Sequence, residues 1–305
     1  MNIMNLISAL PGAVAQGLVW GIMAIGVYIT FRILDIADLT VDGTLCTGGA
    51  VCIMLMQSGQ NVWVSMALAL IAGMLAGMAT GLLHTFMGIP AILAGILTQL
   101  GLYSVNLKIM GKANQAINVD KFDLLVSLRF IKGVPFYKNT ILLVTLMIVF
   151  LIVFLYWFFG TELGCSLRAT GCNDKMARAQ GINTDFNRVL GLMISNGLVA
   201  LAGALLSQYQ GFADINMGRG AIVIGLAAVI IGEAIFGKVF RNFGFRLLGV
   251  AFGSIIYYFV LQIVIWLGID TDLLKLLSAV VVAVFLAIPT WKSRYFSKPA
   301  HKEGV

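Results

Sequence analysis

Along the chain, long apolar runs alternate with short polar stretches. The runs fall at roughly 12–31, 43–57, 62–86, 89–108, 139–160, 187–207, 220–236, 246–267 and 272–291. Most approach the ~20 residues a helix needs to cross hydrocarbon. The pattern predicts an all-α polytopic membrane protein of about eight to ten transmembrane helices, forming one membrane domain over residues 1–305. The run at 43–57 is short, and it is entered through the polar segment Asp35–Asp42. That predicts a broken helix at this point. The stretch 208–219 is irregular for a simple loop and is a candidate to re-enter the membrane.

The basic residues between runs give an orientation, because short cytoplasmic loops are enriched in Lys and Arg. Loop 161–187, with Arg188 just beyond it, carries Arg168, Lys175 and Arg178; loop 237–246 carries Lys238, Arg241 and Arg246; the tail 292–305 carries Lys292, Arg294, Lys298 and Lys302. Two crossings separate each from the next, so all three share the cytoplasmic side. Segment 109–138 then lies outside, although it holds Lys112, Lys121, Arg129, Lys132 and Lys138. Its alternating pattern suggests a small extracytoplasmic cap built as a β-hairpin. Nine crossings put the N-terminus outside, and eight put it inside.

Composition agrees with lipid as the solvent. The chain is 60% hydrophobic and 11% charged, with mean hydropathy +0.98, whereas soluble domains carry about a quarter charged residues. The net charge of +7 therefore reports orientation rather than nucleic-acid binding, which would need a basic soluble domain. Cys46, Cys52, Cys165 and Cys172 form no CxxC spacing, so neither a disulfide framework nor a zinc site is expected. Residues 1–11 lack a basic start, so no cleavable signal peptide is expected. P-loop, HExxH and GxSxG patterns are absent, which argues against ATP binding or an intramembrane enzyme on this chain. Gly73, Gly77 and Gly81 form a small-xxx-small stripe suited to close helix packing.

Two polar segments carry the information. In Phe31–Thr44, Arg32 and the carboxylates of Asp35, Asp38 and Asp42 adjoin two spanning helices. Charges there either line a pathway or gate, or the aspartates cap the next helix while Arg32 snorkels. In Thr161–Thr184, Asn173 or Asp174 can cap a short helix and Gly181 can end it. That helix is suited to docking a partner protein, or to lying on anionic membrane lipid.

The second segment, Leu163–Asn183, resembles the coupling loop of ABC-importer permeases of the branched-chain amino acid/ribose class. Gly164, Arg168, Ala169, Gly171, Asn173, Ala177, Gly181, Ile182 and Asn183 stand where that family repeats these residues. The order that follows is also similar: Ala200–Ala204, Gln208–Gly211, Met217-Gly218 and Ile230–Glu233. Upstream, Trp20–Phe31 and Leu39–Thr44 resemble the family's first two helices. Asp38–Gly43 departs from the asparagine–aromatic–alanine pattern of the branched-chain permeases and looks more like the branch associated with tryptophan or tyrosine uptake.

The resemblance implies a type II importer bundle acting as the permease subunit of an ATP-driven importer for a small polar solute, an amino acid and in particular an aromatic one. It also implies a permease homodimer, a separate ABC ATPase that binds ATP, and an extracytoplasmic substrate-binding protein. The implied ATPase-coupling residues are Arg168, Gly171, Asn173, Asp174, Lys175, Ala177, Arg178, Gly181, Ile182 and Asn183. Candidates for the pathway or gate are Asp38, Thr40, Asp42, Thr44, Gln99, Asn106, Asn196, Gln208 and Asn216. Several of these polar side chains could equally bind helix to helix. The competing reading is an ion- or proton-coupled secondary transporter, which needs an intramembrane carboxylate. Asp42 and Glu233 are its candidates, and Glu233 has Lys238 as an ordinary partner.

Overall fold

The computed structural model describes residues 3–267 except 120, 123, 132–138, 238 and 241, together with scattered positions between 273 and 287. The expected last span, 272–291, and the basic tail, 292–305, fall outside the continuous description. So do Lys238 and Arg241.

Ten α-helices make up the described chain: α1 (Ile3–Tyr28), α2 (Thr40–Gln57), α3 (Val62–Thr85), α4 (Ala91–Met110), α5 (Thr140–Gly160), α6 (Glu162–Cys172), α7 (Asp174–Ala179), α8 (Thr184–Gln210), α9 (Ala221–Phe236) and α10 (Phe243–Trp266). Six segments are long and apolar enough to cross a membrane: Ala9–Ile33, α3, α4, α5, α8 and α10. α2 and α9 are shorter and run within the same bundle. Eight helices of membrane scale are thus present among the described residues.

α1 and α8 form the centre, largely enclosed by the others. α8 takes its widest contact from α3, and α1 from α10. The glycine stripe of α3 explains the first contact. A Cβ at Gly73 or Gly77 would collide with the α8 backbone at Asn196 or Leu192. Without side chains there, the two backbones approach closely and gain dispersion contacts that lipid cannot outbid. The stripe is therefore used inside this chain.

Two short strands, β1 (Asn114–Ala116) and β2 (Phe212–Asp214), pair antiparallel, with Gln115 opposite Ala213. The expected hairpin falls partly outside the described residues, which omit 120, 123 and 132–138. Among the described residues, segment 109–138 contributes one strand, and its partner lies in the α8–α9 connection. Pairing across the bundle ties two connections together: Gln57 Nε2 donates to the Ala116 carbonyl (2.8 Å), and the Leu125 N–H donates to the buried Gln208 (3.2 Å).

Candidate functional site

The break expected between the first two spans is real. The helix of α1 continues as a π-turn over Ile29–Ile33, and α2 starts only at Thr40. In between, Asp35 adopts a left-handed backbone (φ 56°), a conformation that aspartate tolerates better than most residues. The following residues turn inward. Asp38 is 3% exposed, and its Oδ1 accepts from the Thr40 N–H (2.9 Å), which caps α2. Its Oδ2 accepts from Nδ2 of Asn196 (2.6 Å), near the midpoint of α8. The Thr44 hydroxyl donates to Oδ1 of the same asparagine (2.8 Å). The Thr40 hydroxyl shares a hydrogen bond with Thr80 (2.7 Å), and Thr80 in turn donates to Thr98 (2.9 Å). Four helices, α2, α3, α4 and α8, thus meet around one buried polar cluster.

Asp42, one turn into α2, has a different role. Its Oδ2 accepts from the Gly220 N–H (2.9 Å), and its Oδ1 accepts from the Ile222 N–H (3.0 Å). These are unpaired donors at the start of α9, so a carboxylate from another helix caps α9. Capping thus holds for both aspartates, although Asp42 serves a helix 178 residues away.

The remaining pathway candidates divide. Asn106 is buried and donates to the Gly43 carbonyl (3.3 Å). Gln208 is buried beneath the outer connection and also donates to Cys52 Sγ (3.4 Å). Both bind elements together. Gln99 is half-buried on α4, facing Gly43. Asn216 is exposed in the β2–α9 connection. Neither joins the Asp38–Asn196 cluster. Glu233 pairs with Arg32 at 2.9 Å; the expected partner, Lys238, lies outside the described residues. With Asp42 capping α9 and Glu233 paired, both carboxylates proposed for ion coupling already have structural partners.

At the opposite end of α8, segment 161–187 folds into two short helices. The Thr161 hydroxyl caps α6, accepting from the Gly164 N–H (3.4 Å). Asn173 caps α7 through the Met176 N–H (3.1 Å), and Asn183 caps α8 through the Phe186 N–H (3.1 Å). Gly181 takes φ +81°, which lets the chain reverse after α7. Arg178 ties the segment together: it donates to Thr184 (2.7 Å) and Asp185 (2.9 Å), and lies 3.4 Å from Asp174. Arg188 reaches the same Asp174 at 3.3 Å. A hydrogen bond from Thr184, with the charges of Arg188 and Arg178, outweighs the opposing effect of burial and holds the Asp174 carboxyl below its ordinary range.

α6 is docked just as firmly. Asn187 of α8 donates to Ser166 (2.5 Å) and Thr170 (2.9 Å). Arg168 reaches the Phe159 carbonyl (3.5 Å), and its guanidinium lies 5.7 Å from the Phe243 ring centroid. Gly171 lies against the Ile33 carbonyl so closely that no side chain would fit. Of the residues expected to face a partner, Ala177 is buried, and Ile182 is half-buried. Arg178 is engaged internally. Lys175, Asn173, Gly181 and Asn183 are exposed as expected, and beside them stand two exposed apolar side chains, Leu163 and Met176, the latter 62% exposed. Met176 escapes a reading of charges and glycines; its signal is an apolar side chain within a polar segment.

Comparisons place this architecture. Residues 10–288 match the family model described as "Branched-chain amino acid transport system / permease component". The chain is 37% identical over 281 residues to the tyrosine transport system permease protein of Clostridioides difficile (strain R20291), covering 92% of this chain and 91% of that one. It is 29% identical over 251 residues to the fructose import permease protein FruF of Bifidobacterium longum (strain NCC 2705), covering 81% and 68%. Its fold is similar to that of PsaBC from Streptococcus pneumoniae, solved in complex with a Fab, with TM-score 0.55 at 17% identity over 97% of this chain and 99% of that one. With a core built around α8, a braced two-helix segment at one end and apolar spans throughout, this multi-pass inner-membrane chain belongs to the branched-chain amino acid transport system permease family, the membrane component of ABC importers.

Proposed function

We propose that this chain carries an amino acid, and specifically an aromatic one, into the cell as the permease subunit of an ABC importer. The similarity to a tyrosine permease over nine-tenths of both chains supports that substrate class. One structural observation carries the mechanism: the α6–α7 segment is cross-braced to the start of α8, and α8 holds the buried Asp38–Thr44 cluster near its midpoint. An ATPase that grips Leu163 and Met176 in its two nucleotide states therefore acts on a rigid lever. α8 carries the displacement to the cluster, whose hydrogen bonds are made in one arrangement of α2 against α8 and exchanged in the other. The physics is a two-state bundle biased by a partner with different affinity for each state.

Asp38 suits an α-amino group once the helices part, because its carboxylate is held by N–H donors and pairs with no cation among the described residues. An external binding protein delivers solute to the face formed by β1, β2 and their connections. A second copy of the chain packs along α4, whose outward side leaves Tyr103 44% exposed and Ser104 exposed. Polar groups facing hydrocarbon are costly, and a partner copy forming the pathway relieves that cost. The test is gentle detergent purification of the tagged chain from native membranes, comparing wild type with Met176→Glu. Recovery of an ATPase with wild type and its loss with the variant is expected. Equal recovery with both would refute docking at α7.

A further inference from the structure

At the end of the bundle that carries α6 and α7, the last turn after α1, α9 and α10 enclose a cavity of about 240 Å³. Its walls include Arg32, Glu233, Phe236, Phe240 and Arg246, over a floor where Gly232 of α9 crosses Gly249 of α10. Phe236 and Phe240 stack at 5.2 Å with their planes 9° apart. None of this belongs to the polar cluster or to the braced coupling segment.

The charge balance in this cavity is uneven. Arg32 is neutralised by Glu233 at 2.9 Å. Arg246 brings a second guanidinium, which lies near the buried Tyr28 hydroxyl, and among the described residues no carboxylate forms an ion pair with it. Two guanidinium groups against one carboxylate leave a net positive pocket, and guanidinium is suited to phosphate and carboxylate oxygens.

The surroundings indicate which oxyanion. Ile235, Val239 and Phe245 beside the cavity are exposed, Val239 by 73%. Phe252, 46% exposed, touches the wall residue Phe236 with ring centroids 5.7 Å apart and lies two turns along α10 from Phe245. An apolar strip therefore begins at the cavity and continues up the outer side of α10. A cationic pocket at the foot of an outward apolar strip matches an amphiphile, with its head in the pocket and its chain on the strip. The Lys and Arg bias puts this end at the cytoplasmic leaflet, where anionic lipids attract basic groups.

We propose that this cavity binds the phosphate of an anionic phospholipid from the cytoplasmic leaflet, with Arg246 and Arg32 holding the head and an acyl chain lying along Phe252. Such a lipid would also brace the coupling element, because the residue after Arg32, Ile33, meets Gly171 of α6.

The experiment is native mass spectrometry of the full chain in mild detergent, titrated with phosphatidylglycerol or with phosphatidylcholine of the same acyl chains. Wild type should retain phosphatidylglycerol preferentially. Arg246→Gln, which leaves the Arg32–Glu233 pair intact, should lower its occupancy about fivefold, and Arg32→Gln should do the same. Lys175→Gln, which removes a cation at the same end but outside the cavity, should not. Equal retention of both lipids, or an equal loss in Lys175→Gln, would overturn the proposal in favour of diffuse charge. Displacement of the bound lipid by millimolar inorganic phosphate or free tyrosine would also overturn it, by assigning the cavity to a soluble anion.

Discussion

Replacing Asp42 by alanine removes the only side chain among the described residues that caps α9. Two N–H donors, those of Gly220 and Ile222, lose acceptors at 2.9 and 3.0 Å. A hydrogen bond to a charged group contributes about 1.5–3 kcal/mol, and a buried donor left unpaired costs about 1–3 kcal/mol. The site is partly buried, so the lower part of the range applies, and the two bonds together come to roughly 2–5 kcal/mol. Asp42→Asn keeps one acceptor oxygen and should lose about half of that. The assay is thermal unfolding of the detergent-purified chain, followed by loss of its monodisperse fraction. The alanine variant should melt several degrees lower, with the asparagine variant in between. Unchanged melting in both variants, combined with lost transport, would refute the capping role. It would make Asp42 a solute- or ion-binding carboxylate instead.

Further outcomes follow from the same geometry. Ala177→Glu places a charge at a buried position of α7, so it should disorder the coupling segment itself, seen as faster proteolysis between residues 161 and 187, whereas Met176→Glu should leave proteolysis unchanged. Asn196→Leu removes the Nδ2 donor to Asp38 and leaves a buried carboxylate oxygen without it, so stability should fall by roughly 1–3 kcal/mol or more in thermal unfolding. The Asp174 carboxyl is held below its ordinary range by Thr184, Arg188 and Arg178. Its contribution is therefore fully present above the unfolded value of about 4 and is lost as pH falls through the lower folded value. Proteolysis of the coupling segment should accordingly be flat from neutral pH down to that range and rise only below it.

The spans were legible because lipid imposes a simple rule: about 20 apolar residues. The same rule underdescribes α9, which is 16 residues long and is completed at its start by Asp42 rather than by its own sequence. Local signals also read well. Asn173 before α7 and Gly181 after it are cap chemistry contained within a few residues. Long-range pairings were not legible. Nothing near Arg32 in sequence announces Glu233, 201 residues away. The alternating stretch ending at Ile131 closes in a short 3-10 turn over Leu128–Ile131 rather than in a strand, and the strand that does form, β1, takes β2 as partner because two connections meet over the bundle. The cap residues of segment 161–187 were legible one by one, but its division into braces and outward surface was not. Arg178 looks like a docking cation in sequence and is a brace in the fold, while Met176 looks incidental and is the most exposed large apolar side chain of α7.

On this reading, α7 transmits the work of an ATPase to a solute pathway around α8. That transmission is tested most directly by uptake of labelled tyrosine into proteoliposomes that hold this chain with the ATPase and binding protein recovered alongside it. Uptake should require ATP, be insensitive to an imposed proton or sodium gradient, and be abolished by Met176→Glu. Uptake driven by such a gradient, with the ATPase left out, would contradict that reading.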